Sequence, residues 1–563
     1  MVFSCLNLVP CFLVKISVFT NKFEKNIFLT FKLSNELRLR CKGTSRASPY
    51  QEGNNRMLRN KEDILDNKKH LNDNMQISDS QDSEIPPLVS RLKAVAAQND
   101  AYFQFPGHNK GQAVPSSLSS VIGVQPFIHD FTTFPAVDNL FAPKGPILDA
   151  QKQAAKLFGA EETWFLVGGS TCGTQASILA TCSPGDTLII QRNSHKSAFA
   201  GMVFSGAIPK YIIPEYDFDW DIACGITPSQ VEKAMKELDS EGRKASAVFI
   251  TSPTYNGICS NLKEIAVLCH SQNIPLIVDE AHGAHLRFHK SLLPLSALHQ
   301  GADISIQSTH KVLGSLTQSS MLHLSGKIVD RERICNCLQT LQSTSPSYLL
   351  LASLDAARAR IGEHPDTIFN KPVELAMEAK ALVETIPGIT VFNSSKYGTD
   401  PLRLTVGVWK LGISGFEANG ILEKKYGVIS QLHGTRSICF IVNLGTSRDD
   451  IMRLVSGLKH LSETYASIRV NDIHTHPLSE MNTSMILSPR DAFFASKKKV
   501  RFEESVGKVC GELVCPFPAG IPLLVPGEVI TEEALSYLME RKNKGALAIG
   551  VADSTLSSMV VCT

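Results

Sequence analysis

Between residues 163 and 310, short apolar runs rich in β-branched and aromatic residues alternate with amphipathic segments of helix length. The runs are TWFLV (163–167), DTLII (186–190), SAVFI (246–250) and PLIVD (275–279), with patterns such as VEKAMKELDSEG and LKEIAVLCHSQ between them. A strand that is apolar throughout is buried on both faces, and the intervening helices supply the cover. The expectation is an α/β fold with a mainly parallel sheet. Ligands on such sheets sit where the carboxyl ends of the strands open into loops. Several of those ends carry polar, glycine-rich sequence here.

This major domain is expected over residues 85–345. Over 346–464 the texture changes to a long helix signal (LLLASLDAARARIGEH), strands at Ile389 to Phe392 and Leu402 to Val408, and helices near 415–425 and 450–464, which predicts a smaller α+β domain. A connector over 465–485 leads to a last block, 486–563, whose densest stretch is CPFPAGIPLLVPGE (515–528). Proline at that density predicts fixed loops rather than a central strand.

The chain of 563 residues has 56 Lys plus Arg and 54 Asp plus Glu, a formal net charge of +2. That near-balance argues against nucleic-acid binding by the chain as a whole, and a Lys497-Lys498-Lys499 run with Arg501 reads as a solvated face. Residues 1–50 hold eight basic and two acidic side chains, or +6, which leaves 48 minus 52, or −4, for the remaining 513. The apolar run from Met1 ends at Lys15, short of the roughly 18 to 20 residues that cross a bilayer, so no membrane span is expected. Its charge follows the run, whereas a secretory signal places charge first. With the Arg38 to Arg46 stretch RLRCKGTSR, the head is similar to the cleavage region of a transit peptide. We read 1–50 as a targeting segment for the plastid stroma of a plant, with mitochondrion or cytoplasm, and an uncleaved tail, as alternatives. Residues 51–84 are polar, highly charged and nearly free of aromatics, which predicts a disordered linker. None of the 14 cysteines forms a C-x-x-C pair, so neither a zinc ribbon nor a redox motif is expected, and the thiols should be reduced.

Three segments carry chemistry. TWFLVGGSTCGTQASILA reads as strand, glycine turn and helix, in which Gly168 and Gly169 expose amides and Ser170 and Thr171 can cap the helix, so the helix start suits an anion such as phosphate. In PLIVDEAHGAH, Asp279 stands where an apolar strand runs out. A carboxylate there can hold a proton on a heteroaromatic nitrogen, ligate a metal with His282 and His285, or cap the next element; Gly283 at a strand end makes the metal reading poor. In SIQSTHKVLGSLTQSSMLH, Lys311 is flanked by Ser308, Thr309 and His310 and by a run of small residues, a setting that suits a Schiff-base amine beside a phosphate. The three occur in order on one scaffold, with Lys311 standing 32 residues after Asp279 (311 minus 279).

Together with FPGHNKG (105–111), DFTTFPAVDNLFAPKGPI (130–147), RNSHKS (192–197), SPTYNG (252–257), LSPRDAFF (487–494) and PAGIPLLVPGE, these segments resemble the pyridoxal-phosphate-dependent Orn/Lys/Arg decarboxylases of the aspartate-aminotransferase fold type. The resemblance spans about 86 to 555. It implies a large α/β domain, a smaller α+β domain and a C-terminal decarboxylase domain. It implies pyridoxal 5′-phosphate as cofactor, attached to Lys311 as a Schiff base, with Asp279, kept ionised, on the pyridine nitrogen, His195 stacked on the ring and His282 beside it. Ser170, Thr171, Ser308 and His310 would hold the phosphate, with Gly169 and Cys172 of the same turn also cofactor-binding. Glu528 matches the position that meets the distal cation of the substrate. Phe517-Pro518-Ala519-Gly520 and Phe141 depart from the usual family residues at sites near substrate selection.

The reaction so implied is α-decarboxylation of lysine, ornithine or arginine to a diamine or agmatine and carbon dioxide, by a homodimer or higher homo-oligomer whose entry segment near His108 comes from the partner. His282, His310 and Lys311 are candidates for the acid that reprotonates the α-carbon. Another lyase or aldolase of the same fold type, or a catalytically silent paralogue, are the competing readings.

Overall fold

Among the described residues, seven strands build the central sheet: β1 (Glu162–Leu166), β2 (Thr187–Gln191), β3 (Ile208–Ile212), β4 (Ala245–Thr251), β5 (Leu276–Asp279), β6 (Ile304–Gln307) and β7 (Ser320–Leu324). They lie side by side in the order β1-β7-β6-β5-β4-β2-β3. Only β7 runs against its neighbours, pairing antiparallel with both β1 and β6. β2, β5, β6 and β7 are buried at every residue, as expected of strands covered on both faces. The computed structural model describes residues 85–289, 291–465, 484–516, 520–543 and 545–563. The targeting head, the 51–84 linker, nearly all of the 465–485 connector and Phe517 to Ala519 lie outside the described residues.

The covering helices follow from their apolar spacing and caps. Pro228–Ser240 starts at a capping box between Thr227 and Gln230 and buries Val231, Ala234, Met235 and Leu238, one stripe at helical spacing. Leu262–Ser271, capped by Asn261, buries Leu262, Ile265, Ala266 and Cys269 against the same face of β2, β4 and β5. Gly169–Thr181 is different, because it is buried on most sides, between the sheet and the helices Lys196–Ser205 and Arg331–Leu341. It comes so close to the strands that a Cβ on Gly173 would stand 2.7 Å from Leu166 Cδ1 and 2.9 Å from Ile306 Cγ2.

The long helix Tyr348–Glu363 packs on Pro87–Ala96 and Pro146–Phe158, and the buried Asp355 carboxylate accepts the amides of Leu88 and Val89 at the start of the first of these. Beyond it, Thr390–Val391, Arg403–Gly407, Ser437–Ile441 and Leu432–His433 form a four-stranded antiparallel sheet, backed by Asn370–Glu384, Gly415–Tyr426 and Arg448–Tyr465. The last block has its own small core around Phe502, Leu524, Leu535 and Met559. The lysine run lies in the strand Lys497–Arg501, paired with Ser558–Cys562, with Lys497, Lys498 and Lys499 exposed.

Gly173→Val is therefore expected to lower the unfolding free energy by about 2 kcal/mol, the usual order for overpacking a rigid contact. Urea denaturation followed by far-UV circular dichroism measures it, and an unchanged midpoint would refute the close-approach account.

Candidate active site

Two neighbouring strand ends carry the centre of the site. In the parallel ladder Asp279, the last residue of β5, pairs with Thr251 on β4 and Ile306 on β6. From Ile306 the chain runs through Gln307 and Ser308 into the short helix Thr309–Val312, where the Lys311 amide donates to the Ser308 carbonyl at 3.1 Å. After Asp279 the chain turns at once: its carboxylate accepts the Ala281 amide at 3.1 Å, and the Gly283 amide donates to the Glu280 carbonyl at 2.9 Å. The turn brings His282 Nε2 to 3.0 Å from Lys311 Nζ. Tyr255 lies against the His282 ring, with centroids 4.6 Å apart.

Burial sets the protonation states. It pulls the Lys311 amine down to about 8, opposed by the Asp279 charge and aided by Arg403. It holds His282 well below the ordinary imidazole range, with Lys311 pushing the same way, so His282 is neutral. It also raises the Asp279 carboxyl above its ordinary value, against the pull of Lys311 and the Ala281 amide. Burial thus makes the Asp279 charge costlier to hold, and a cation facing it would offset that cost.

His195 stands at the start of Lys196–Ser205, where Nδ1 accepts the Ser197 amide at 3.2 Å and pairs with Ser197 Oγ at 2.9 Å. Burial and the nearby Lys311 take its pKa down to about 4, so this ring too is neutral. The last block reaches it: the Lys196 amide donates to the Gly520 carbonyl at 3.2 Å, and a Cβ on Gly520 would stand 3.2 Å from the His195 ring.

On the anion side, the helix begins at Gly169 itself, with Gly168 in the cap position and no side chain capping it. Ser170 and Thr171 are therefore first-turn residues and not caps, which leaves the amides of that turn open. Ser308 Oγ donates to Ser170 Oγ at 2.8 Å, tying the lysine loop to this turn. Thr171 is exposed. The Cys172 thiol is packed into the core and pushed up to about 12 by burial, so its side chain is inert. His310 Nδ1 is paired with the Ser319 carbonyl at 2.9 Å.

Asp279, His282 and His285 do not converge. His285 pairs with the buried Asp400 at 2.9 Å while His282 meets Lys311. Among the described residues no group of three or more His, Cys, Asp or Glu side chains is arranged to hold a metal ion.

Glu528 also differs from expectation. It is fully buried, and its Oε2 accepts Arg192 Nη2 at 2.9 Å and the Val525 amide at 2.8 Å. Arg192 further donates to the carbonyls of Pro522 and Leu523. A carboxylate so enclosed presents no open face to an incoming cation; it fastens the last block to the end of β2.

Sequence reasoning passed over Arg403. Its Nη2 donates to the His282 carbonyl at 3.0 Å, and its guanidinium lies beside Asp400. A Cβ on Gly257, where φ is +80°, would stand 2.7 Å from Arg403 Cβ and Cγ, so the glycine of SPTYNG is required by this arginine. That glycine was the available signal; a lone arginine at the start of a strand gave none.

This geometry has relatives. The Orn/Lys/Arg decarboxylase major-domain model matches residues 86–399, and the C-terminal-domain model of that family matches 473–547. The chain belongs to the Orn/Lys/Arg decarboxylase family. It is 38% identical over 493 residues to an arginine decarboxylase of Halalkalibacterium halodurans, covering 85% of this chain and 98% of that one. With the arginine decarboxylase of Bacillus subtilis it shares 37% over 476 residues, 84% of this chain and 96% of that one. The solved constitutive lysine decarboxylase of Escherichia coli superposes with a TM-score of 0.72 at 21% identity, covering 85% and 82% of the two chains, which shows a shared fold. The protein is an amino-acid decarboxylase of this family, with the α/β fold its sequence predicted.

Because Arg192 and Glu528 are a buried pair, Glu528→Gln is expected to cost about 3 kcal/mol of stability, since one charge is left without its partner. Guanidinium denaturation of the variant checks this. Unchanged stability would return Glu528 to the list of open carboxylates.

Proposed function

We propose that this chain decarboxylates a basic amino acid, arginine first, with pyridoxal 5′-phosphate held at Lys311. One observation carries the reading: a half-buried lysine amine at 3.0 Å from a neutral histidine, next to a buried strand-end aspartate. The surrounding residues fit that cofactor. The uncapped first turn at Gly169 and the linked Ser170 and Ser308 suit its phosphate. Thr309 Oγ1 and His282 Nδ1 are buried polar atoms without a hydrogen-bond partner among the described residues, a state that buried groups seldom keep. Asp279 suits a protonated ring nitrogen, a cation that offsets the cost of its buried charge.

When bound, the cofactor supplies an electron sink for the pair left behind by departing carbon dioxide. The protein does the rest. Lys311, at about 8, is in part a free amine near neutral pH and so a competent nucleophile. His282, neutral, pairs with Lys311 Nζ at 3.0 Å and orients the amine. The same pair is better placed than His310, whose Nδ1 faces a backbone carbonyl, to deliver a proton to the α-carbon. Arg403 offers an incoming α-carboxylate a positive field, and His195 supplies a neutral ring face.

Arginine is favoured by the relatives, since the four arginine decarboxylases compared are 34 to 38% identical and the lysine decarboxylases 22 to 23%. Oligomerisation is part of the reading: Phe103, Phe105 and Val121, on the same stretch of chain as the paired His108 and Asp130, are 98%, 74% and 78% exposed, apolar side chains that a second copy would cover. A plastid-directed head over residues 1–50 completes it. Support comes from the basic, acid-poor composition and from a family match that starts only at residue 86.

The test is carbon dioxide release from arginine, lysine and ornithine supplied separately, with the cofactor added. Arginine should turn over fastest, and Lys311→Ala should abolish both turnover and the near-visible absorbance of lysine-bound cofactor. Cleavage of none of the three, or an unchanged spectrum in the variant, refutes the proposal.

A further inference from the structure

Next to Asp279 stands a second buried carboxylate. Glu280 is 1% exposed. Its Oε1 accepts the Ala297 amide at 2.7 Å, and its Oε2 accepts Ser305 Oγ at 2.7 Å and Gln307 Nε2 at 2.8 Å. The chain of bonds continues sideways: Gln307 Oε1 lies 3.1 Å from His323 Nε2, and His323 Nδ1 lies 2.8 Å from Thr163 Oγ1. The strand register makes this possible, because His323 pairs with Ser305 across β6 and β7 and with Thr163 across β7 and β1.

The direction of these bonds is consistent from end to end. Burial takes His323 down to about 3, so the ring is neutral and carries one proton. With that proton on Nε2, Thr163 donates to His323, His323 to Gln307, and Gln307 to Glu280. Phe158 stacks on the imidazole with centroids 4.8 Å apart and fixes its plane. The three groups that bond Glu280 among the described residues are neutral donors, so the arrangement suits a carboxylate anion even though burial raises its pKa to about 7. Burying an acid here is costly, and an apolar residue of similar size would commonly be no worse for stability.

What the acid holds in place is the site. Glu280 begins the turn that carries Asp279 on one side and His282 on the other, and its amide donates to the Ile306 carbonyl at 3.0 Å. Its side chain pins that turn to β6, the strand that runs into Ser308 and Lys311. We propose that Glu280 is a positioning residue for the Lys311 site, setting the approach of His282 to Lys311 through the turn it anchors without touching the reacting groups. The inference rests on Lys311 being the functional amine. The groups facing Lys311 are Asp279, His282, His195 and Arg403. Glu280 acts on it only through their placement.

The test uses the full chain without and with cofactor. In the cofactor-free protein, the pH midpoint for acylation of Lys311, read by peptide mass spectrometry, should lie near 8. Glu280→Gln keeps the size and removes the charge. By loosening the turn and admitting water, it should raise the midpoint by about half a unit, so that labelling below the midpoint slows about threefold. In the loaded enzyme, kcat should fall about tenfold while KM stays within about twofold, and Glu280→Asp should restore part of the loss. If Glu280→Gln does not fold, Ser305→Ala, which deletes one donor, should move the acylation midpoint the same way. A midpoint unchanged in the folded variants overturns the proposal, however far their thermal stability falls. Acylation needs neither cofactor nor substrate, so failure of the decarboxylation assay and failure of this inference are separately visible.

Discussion

The parallel pairing of β5 with β6 is the constraint on which the site depends. It sets Asp279 level with Ile306, so a turn that leaves one strand and a loop that leaves the next start from the same height and must meet. His282 and Lys311, 29 residues apart in sequence, are brought to 3.0 Å by that geometry and not by any local preference. The helix at Gly169 is held to the same place by Gly173, which lets it approach β1 and β6. The uncapped start of a helix, the aspartate and the lysine thus share one edge of one sheet, where a doubly covered fold leaves room for a ligand.

The strand runs and the helical stripes were legible because burial on both faces leaves an unmistakable pattern. TWFLV, DTLII, SAVFI and PLIVD each became a strand of the central sheet, within a residue or two at the ends. Lys311, Asp279 and His282 could be picked out because each breaks an apolar or small-residue context. Partnership was harder to read. Arg403 is brought to His282 from a separate sheet, and the Glu280 chain of bonds crosses β5, β6, β7 and β1 at positions far apart in sequence. The cap was misjudged for a simpler reason: Ser and Thr after two glycines look like capping residues, but a helix that begins one residue earlier makes them part of its first turn.

Glu528 shows why a matching residue type in a matching segment does not determine what it touches. In the proline-rich block nothing local distinguishes a carboxylate pointing into a cleft from one pointing inward. Arg192, three residues before His195, settles the matter by reaching Glu528 and two carbonyls of that block at once. A buried guanidinium of this kind needs several acceptors, and the 522–528 loop provides them. The pair therefore links the loop near His195 to the block whose Gly520 approaches the His195 ring, so that this edge of the site is built from two distant stretches of chain.

Burial acts in the same sense on every titratable group at the centre, toward the uncharged form: Lys311 and both histidines are lowered and Asp279 is raised. Charge is then supplied from beside the site, by Arg403. A lysine that is in part neutral near physiological pH, a histidine held neutral at rest and a buried aspartate thus form a set whose protonation is governed by the exclusion of water. Had these groups been exposed, water would have satisfied each of them, and the lysine and the aspartate would both be charged at neutral pH. The covered ends of β5 and β6 therefore do more than hold residues in position, because the exclusion of water that builds the sheet also prepares the chemistry.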